Sequence, residues 1–109
     1  MSILCTCHTC NKKVVLELIP DYSESALWCT NPKCGVPVPY DELPKLSDET
    51  INLIQIWNQY WVNQHGDTAI ESFEFQRICN NVGSHLAEEI NKKYECKFDP
   101  NKATPLLEE

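Results

Sequence analysis

Glycine is scarce in this sequence of 109 residues, which contains three. Loops that cradle phosphate groups are built from clustered glycines, so we do not expect a nucleotide-binding loop. The sequence also lacks an HExxH pair, a GxGxxG motif and a recognisable serine, histidine and aspartate set. These absences predict that the protein is not an enzyme.

Positive charge is also in short supply. Nine Lys and Arg residues stand against 16 Asp and Glu residues, which leaves a net charge of −7. A protein that binds nucleic acid mainly by neutralising phosphates needs an excess of Lys and Arg. We therefore do not expect direct nucleic-acid binding as the main activity. Residues 47–109 carry most of the acidic groups, so the negative charge is concentrated in the C-terminal part.

Long apolar segments are absent. No apolar run approaches the roughly 20 residues that a membrane-spanning helix requires. The N-terminus also lacks the basic and long apolar regions of a signal peptide. We therefore expect a soluble cytoplasmic protein without membrane contact. In a reducing compartment, the seven cysteines are expected to bind a metal rather than to form disulfides.

The N-terminal part of the sequence predicts a β-hairpin. Residues 14–19 form an apolar run with β-branched side chains, residues 20–25 are typical of a turn, and Ala26 begins a second strand that leads to Cys29. Four prolines between residues 32 and 44 exclude a helix there. The chain is accordingly divided into an N-terminal β domain, a helical domain and a loose acidic tail: residues 1–46, 47–98 and 99–109.

The C-terminal part predicts amphipathic helices. Ser47 is a candidate N-cap, and Gly66 is a candidate stop for the first helix. Gly83 interrupts the second pattern, so residues 68–95 form either one helix or two. The predicted fold class is α+β, with a small β-hairpin followed by two or three helices. Apolar side chains recur at helical spacing in both patterns: Ile51, Ile54, Trp57, Trp61 and Val62 in the first, then Ile70, Phe73, Ile78, Val82, Leu86, Ile90 and Tyr94 in the second.

Four cysteines form the strongest motif, with the spacing C-x2-C-x18-C-x4-C. Tetrahedral Zn²⁺ accepts four thiolates at about 2.3 Å, and closely spaced cysteine pairs allow each loop to supply two of them. Asn11 and Gly35 directly follow the two pairs, and Asn and Gly best tolerate the positive φ that such loops need. The sequence therefore predicts one structural Zn²⁺ ion, bound by Cys7, Cys10, Cys29 and Cys34.

This arrangement resembles the zinc-ribbon family, in which two cysteine turns at the feet of a β-hairpin bind one zinc ion. The resemblance covers residues 5–40 and implies a scaffold rather than an activity. The second cysteine pair departs from the commoner pattern because four residues intervene instead of two. Asn31 and Pro32 are expected to form an extra turn there. The helical part resembles no family.

Several alternatives remain for individual residues. Cys5 or His8 could replace one zinc ligand. Cys7 and Cys10 could form a thiol-redox pair, although a thioredoxin-like pair needs a helix opening at the motif. Cys79 and Cys96 are expected to be buried thiols that pack like small apolar side chains.

The aromatic cluster of the first helical pattern has two readings. Trp57, Tyr60 and Trp61 could be a partner-binding hot spot, because Trp and Tyr are enriched there. We expect them instead to form core, because so small a helical unit needs large buried side chains.

The expected function is therefore binding to another protein, with an acidic surface that suits a basic or nucleic-acid-associated partner. Zinc ribbons recur in transcription machinery, so regulation or inhibition of transcription is the leading hypothesis. One alternative is a nucleic-acid-binding zinc-ribbon module that would use Lys12, Lys13 and Lys33. The other is a thiol-redox protein that uses Cys7 and Cys10.

Overall fold

Antiparallel strands in the N-terminal part are followed by two helices, so the predicted α+β class is confirmed. The computed structural model describes residues 2–21, 25–67 and 73–99, and the side chains of 64–67 and 73–75 lie outside that description. The predictions made for Ile70, for the Phe73 side chain and for the tail beyond Asp99 lie outside the described residues. No helix in the described ranges is long and apolar enough to cross a membrane.

Two small sheets contain the strands. Strand β1 (Cys5–Cys7) pairs antiparallel with β2 (Lys12–Val14) in a two-stranded sheet. Strand β3 (Leu16–Leu18) pairs antiparallel with β4 (Leu27–Cys29), which confirms the predicted hairpin. After β4 the chain passes through a loop and returns alongside it, with a bridge between Trp28 and Pro37. A 3₁₀ turn then leads towards the helices.

The first helix, α1, spans Asp48–Asp67. The Ser47 hydroxyl accepts a hydrogen bond from the Thr50 backbone N–H at 3.1 Å, so the predicted N-cap is confirmed. The predicted stop at Gly66 is wrong, because α1 includes Gly66 and continues to Asp67. Ile54, Trp57 and Trp61 are buried, so the two tryptophans belong to the core as expected.

The second helix, α2 (Phe73–Asn91), is one continuous helix through Gly83. The predicted packing of four side chains of α2 on one buried face is only half right. These are Ile78, Val82, Leu86 and Ile90. Leu86 and Ile90 are buried, whereas Ile78 and Val82 are 40% and 41% exposed. Each step of four residues turns about 40° beyond a full helical turn. Over three such steps the side chains turn by about 120° around the helix, so they cannot all face the core.

A fifth strand, β5 (Cys96–Phe98), was not predicted. It pairs parallel with β3, so β3 lies at the centre of the sheet order β4-β3-β5. Tyr94 was expected to belong to the second helix but lies after its end, in a bridge with Ile3. The segment assigned to a helical domain therefore contributes a strand to the N-terminal sheet. The division of the chain at residue 46 stays a prediction.

The Asn91 side chain determines where α2 ends. Its amide N–H groups donate to the carbonyl oxygens of Ala87 at 2.9 Å and Cys96 at 2.7 Å. Its side-chain oxygen accepts the Cys96 backbone N–H at 2.9 Å. One amide side chain thus satisfies backbone groups of both the helix end and β5, and it turns the chain from one into the other.

A single apolar cluster connects the sheets with the helices. Leu16 and Leu18 of β3 are fully buried, as are Ile54 of α1 and Ile90 of α2. At the other end, the cluster includes Cys7 and Cys29, which terminate β1 and β4. The core therefore extends directly to the cysteine loops and positions them.

Candidate metal centre

The four cysteines of the motif lie together in space. Their Sγ atoms all lie within 4.8 Å of one another, and the group could hold a metal ion. Sγ of Cys7 lies 3.8 Å from Sγ of Cys34, and Sγ of Cys10 lies 3.9 Å from Sγ of Cys29. Each of these close contacts joins one loop to the other. The two loops therefore interleave their sulfurs rather than forming two separate pairs.

The first loop is the turn of the β1–β2 hairpin. Cys7 ends β1 and lies opposite Lys12, while Cys10 lies in the turn between the strands. The Asn11 backbone N–H donates to the Cys7 carbonyl oxygen at 2.7 Å. Asn11 has a φ of 57°, which confirms the expected left-handed residue after the pair.

The second loop begins where β4 ends at Cys29. Its two extra residues form the predicted turn, in which the Asn31 carbonyl oxygen accepts the backbone N–H groups of Cys34 at 2.9 Å and Gly35 at 3.1 Å. Gly35 has a φ of 62°, also as expected. The Cys29 backbone N–H donates to the Val36 carbonyl oxygen at 3.0 Å and closes the loop at its base.

Backbone N–H groups are directed at three of the four sulfurs. Cys10 receives a hydrogen bond from Lys12, Cys29 from Asn31 and Cys34 from Val36. In each case, the donor lies two residues after the cysteine. Such donors favour the negatively charged thiolate that a metal ion requires. At Cys29 and Cys34 these donors offset part of the burial that disfavours the thiolate.

The thiols differ in acidity without metal. A hydrogen bond from the Asn31 side chain, aided by the Lys12 backbone, lowers the pKa of Cys10 to about 7. Burial raises the pKa of Cys29 to about 12 and also raises that of Cys34. A metal ion that binds here must therefore displace protons from at least Cys29 and Cys34 at neutral pH.

The effect of the Asn31 side chain on the pKa of Cys10 was not predicted from the sequence. Asn31 was expected only to form a turn, yet its side chain crosses from the second loop to Cys10 of the first. Its side-chain oxygen also accepts the Lys33 backbone N–H at 3.1 Å. The sequence feature that could have indicated this contact is an Asn two residues after Cys29. Asn favours turns, and its side-chain amide can donate a hydrogen bond.

The two alternative zinc ligands, Cys5 and His8, do not belong to the group of four clustered cysteines. Cys5 is buried but is not among the four clustered sulfurs, and its Sγ donates to the Thr6 carbonyl oxygen at 3.6 Å. Burial raises the pKa of Cys5 to about 11, which favours its neutral form. His8 is exposed on the first loop. Within the described part of the chain, no further group of His, Cys, Asp or Glu side chains comes together in this way.

The remaining cysteines behave as predicted. Cys79 and Cys96 are buried in the apolar cluster, and all seven cysteines of the chain are free thiols.

Comparison with known protein families, with curated proteins and with solved structures finds no match for this chain. The site's own geometry therefore carries the functional argument.

Proposed function

We propose that the chain binds one Zn²⁺ ion through the thiolates of Cys7, Cys10, Cys29 and Cys34. Four sulfurs at about 2.3 Å from a tetrahedral zinc are separated from one another by about 3.8 Å. The Sγ–Sγ distances between Cys7 and Cys34 and between Cys10 and Cys29, 3.8 Å and 3.9 Å, match that edge length, and all four sulfurs lie within 4.8 Å of one another. This match is the observation that carries the proposal. It also supports the resemblance to zinc ribbons, which bind zinc with two cysteine turns.

The proposed zinc is structural rather than catalytic. Four protein ligands complete a tetrahedral site and leave no position for a reactive water molecule. The same arrangement disfavours a redox role for Cys7 and Cys10, because a sulfur of the other loop lies 3.8 Å from Sγ of Cys7 and another lies 3.9 Å from Sγ of Cys10. The motif is also followed by strand β2 rather than by a helix. We accordingly propose that the protein is not an enzyme.

Metal content tests this part of the proposal. The purified chain should contain about one zinc ion, and cobalt substitution should give the absorption bands of a tetrahedral thiolate site. Cys34→Ser should lose the metal, whereas Cys5→Ala should retain it as the matched control. A chain without zinc, or equal metal loss in both variants, contradicts the proposal.

We further propose that the protein acts by binding another protein. Its net charge is −7, and four thiolates on Zn²⁺ add about −2. Such a surface attracts a basic partner, for example a nucleic-acid-binding protein with a positive groove. Because zinc ribbons recur in transcription machinery, a regulator or inhibitor of that machinery is the function that we favour.

Affinity capture with the zinc-loaded chain, followed by mass spectrometry, tests the partner class. Basic or nucleic-acid-associated proteins should be recovered and released by raised salt concentration. The alternative of a nucleic-acid-binding module is favoured only by the exposed lysines of the cysteine loops and β2: Lys12, Lys13 and Lys33. Binding of DNA or RNA with a steep salt dependence would support that alternative instead.

A further inference from the structure

The four clustered cysteines can form disulfides in three ways, since four thiols allow three sets of two pairs. Sγ of Cys7 lies 3.8 Å from Sγ of Cys34, and Sγ of Cys10 lies 3.9 Å from Sγ of Cys29. Both contacts join one loop to the other. Together they correspond to a single one of the three sets, in which each disulfide links the two loops.

These contacts are short enough for disulfides to form with small movements. The sulfurs of a disulfide lie about 2.05 Å apart, so each pair must approach by about 1.8 Å. If both loops move equally, each sulfur is displaced by about 0.9 Å. Oxidation in this set therefore requires the two loops to shift towards each other and does not require them to unfold.

Each cross-loop pair combines an accessible thiol with a buried one. Cys10 and Cys34 are partly exposed, whereas Cys29 and Cys7 are buried. Thiols that sense oxidants are solvent-accessible and lie beside a second thiol that resolves the first oxidation product. An oxidant in solution thus has access to Cys10 and Cys34, and each has a buried thiol of the other loop beside it.

We propose that the four cysteines form a redox switch, in which hydrogen peroxide or another hydroperoxide joins Cys7 to Cys34 and Cys10 to Cys29. The accessible sulfur of each pair attacks the O–O bond of hydrogen peroxide, which gives a sulfenic acid and one water molecule. The buried thiol then attacks the sulfenic sulfur, and the hydroxyl group leaves with the thiol proton as a second water. Each disulfide thus oxidises two thiols and reduces one peroxide to two waters.

The switch rests on the proposed function, because a disulfide offers no thiolate to a Zn²⁺ ion. Oxidation and zinc binding therefore exclude each other. Cys7 ends β1 of the two-stranded sheet, and Cys29 ends β4 of the three-stranded sheet. Cross-loop disulfides keep these two sheets linked when no metal is bound, whereas disulfides within each loop do not.

Disulfide mapping tests the pairing. The purified, reduced chain is treated with hydrogen peroxide, its remaining thiols are alkylated, and its tryptic peptides are identified by mass spectrometry. Trypsin distributes the four cysteines over residues 1–13, 14–33 and 34–45. The first peptide holds both cysteines of the first loop, and each of the others holds one cysteine of the second loop.

The first peptide should become linked to both of the others, and bound zinc should be released. Cys10→Ser should link the first peptide to the third only and leave Cys29 alkylated, which excludes the remaining cross-loop set. Cys5, Cys79 and Cys96 are buried outside the cluster and should stay alkylated as internal controls. A reductant followed by Zn²⁺ should restore the metal content.

Oxidation in concentrated urea is the matched control. There the spacing along the chain decides the pairing, so disulfides within each loop should predominate, because short segments close at the lowest entropy cost. Within-loop disulfides in the folded chain, or the same mixture as in urea, overturn the proposal. This comparison uses the wild-type chain and stays decisive even if Cys10→Ser does not fold.

Two further measurements complete the test. Amide exchange in β1 and β2 should be slower in the oxidised chain than in the reduced chain after chelation, and equal exchange overturns the proposed link between the sheets. Zinc content separates the switch from the function on which it rests. A chain with about one zinc ion that forms no cross-loop disulfide keeps the proposed function and overturns the switch. A chain that never contains zinc contradicts the proposed function, and the peptide map then decides the pairing by itself.

Discussion

Gly83 of α2 packs directly against the Phe98 ring of β5. A Cβ atom at position 83 would lie 2.5 Å from Cζ of Phe98 and 3.0 Å from Cζ2 of Trp57. The two rings meet edge to face, with centroids 6.0 Å apart and an interplanar angle of 71°. The absence of a side chain at Gly83 is therefore what allows helix, strand and ring pair to approach one another.

Gly83→Ala should lower the free energy of unfolding despite the better helix propensity of alanine. The propensity gain is about 1 kcal/mol, but overpacking a filled site costs about 1–3 kcal/mol. We expect a net loss of about 1 kcal/mol, measured by urea unfolding. Adding Phe98→Leu should reverse part of it. The adjacent exposed Ser84→Ala is the control and should be slightly stabilising; equal stability of both alanine variants would contradict the packing argument.

Asn91→Asp should destabilise the junction between α2 and β5. The aspartate oxygens cannot donate to the carbonyl groups of Ala87 and Cys96, which the Asn91 amide now contacts at 2.9 Å and 2.7 Å. Buried acceptors that lose their donor cost about 1–3 kcal/mol, and a carboxylate facing them costs more. The same substitution at exposed Asn81, on the same helix, should change stability by less than about 0.5 kcal/mol. Matching losses at both positions would refute the capping role of Asn91.

Stability should fall at alkaline pH because of Cys79. The thiol is fully buried, and burial raises its pKa from 9.0 to about 11. A thiol with a higher pKa in the folded chain stabilises the fold below the unfolded pKa, and this stabilisation is lost as pH rises through the folded pKa. We therefore expect the free energy of unfolding to decrease from pH 9 to about pH 11, by at most about 1.4 kcal/mol per pH unit for this group.

Urea unfolding of the wild type and of Cys79→Ala across this pH range measures that contribution. The variant also leaves a small cavity, so the comparison concerns the slope against pH rather than stability at one pH. Cys5 and Cys96, whose pKa values burial raises to about 11 and about 12, should leave part of the slope in the variant. Parallel curves for the two proteins would show that Cys79 does not titrate in this way.

The sequence allowed the cysteine loops to be predicted because their determinants are local. Positive φ at Asn11 and Gly35 follows from residue type and from position after a cysteine pair. Strand β5 could not be predicted in this way, since three residues carry little periodicity and its pairing with β3 spans the whole helical part. The exposure of Ile78 could not be predicted either, because it depends on which face of α2 meets the rest of the core.

Removal of the proposed zinc ion should loosen the chain locally rather than uniformly. Strands β1 and β2 form a separate two-stranded sheet, which is marginal in water without further support. Strand β3, by contrast, is held between β4 and β5 and its Leu16 and Leu18 are fully buried. Chelation should therefore accelerate amide exchange about tenfold or more in β1, β2 and the second cysteine loop, with smaller changes in β3, α1 and α2.

Hydrogen exchange followed by mass spectrometry measures this difference segment by segment. Re-addition of Zn²⁺ should restore protection, whereas Mg²⁺, which prefers oxygen ligands, should not. Acidification should have the same effect as chelation, because protonation of the four thiols competes with the metal. Equal loss of protection in the helices would mean that the metal holds the whole chain together, since the single apolar cluster includes both Cys7 and Ile90. No change anywhere would leave the apolar core as the sole support of the cysteine loops.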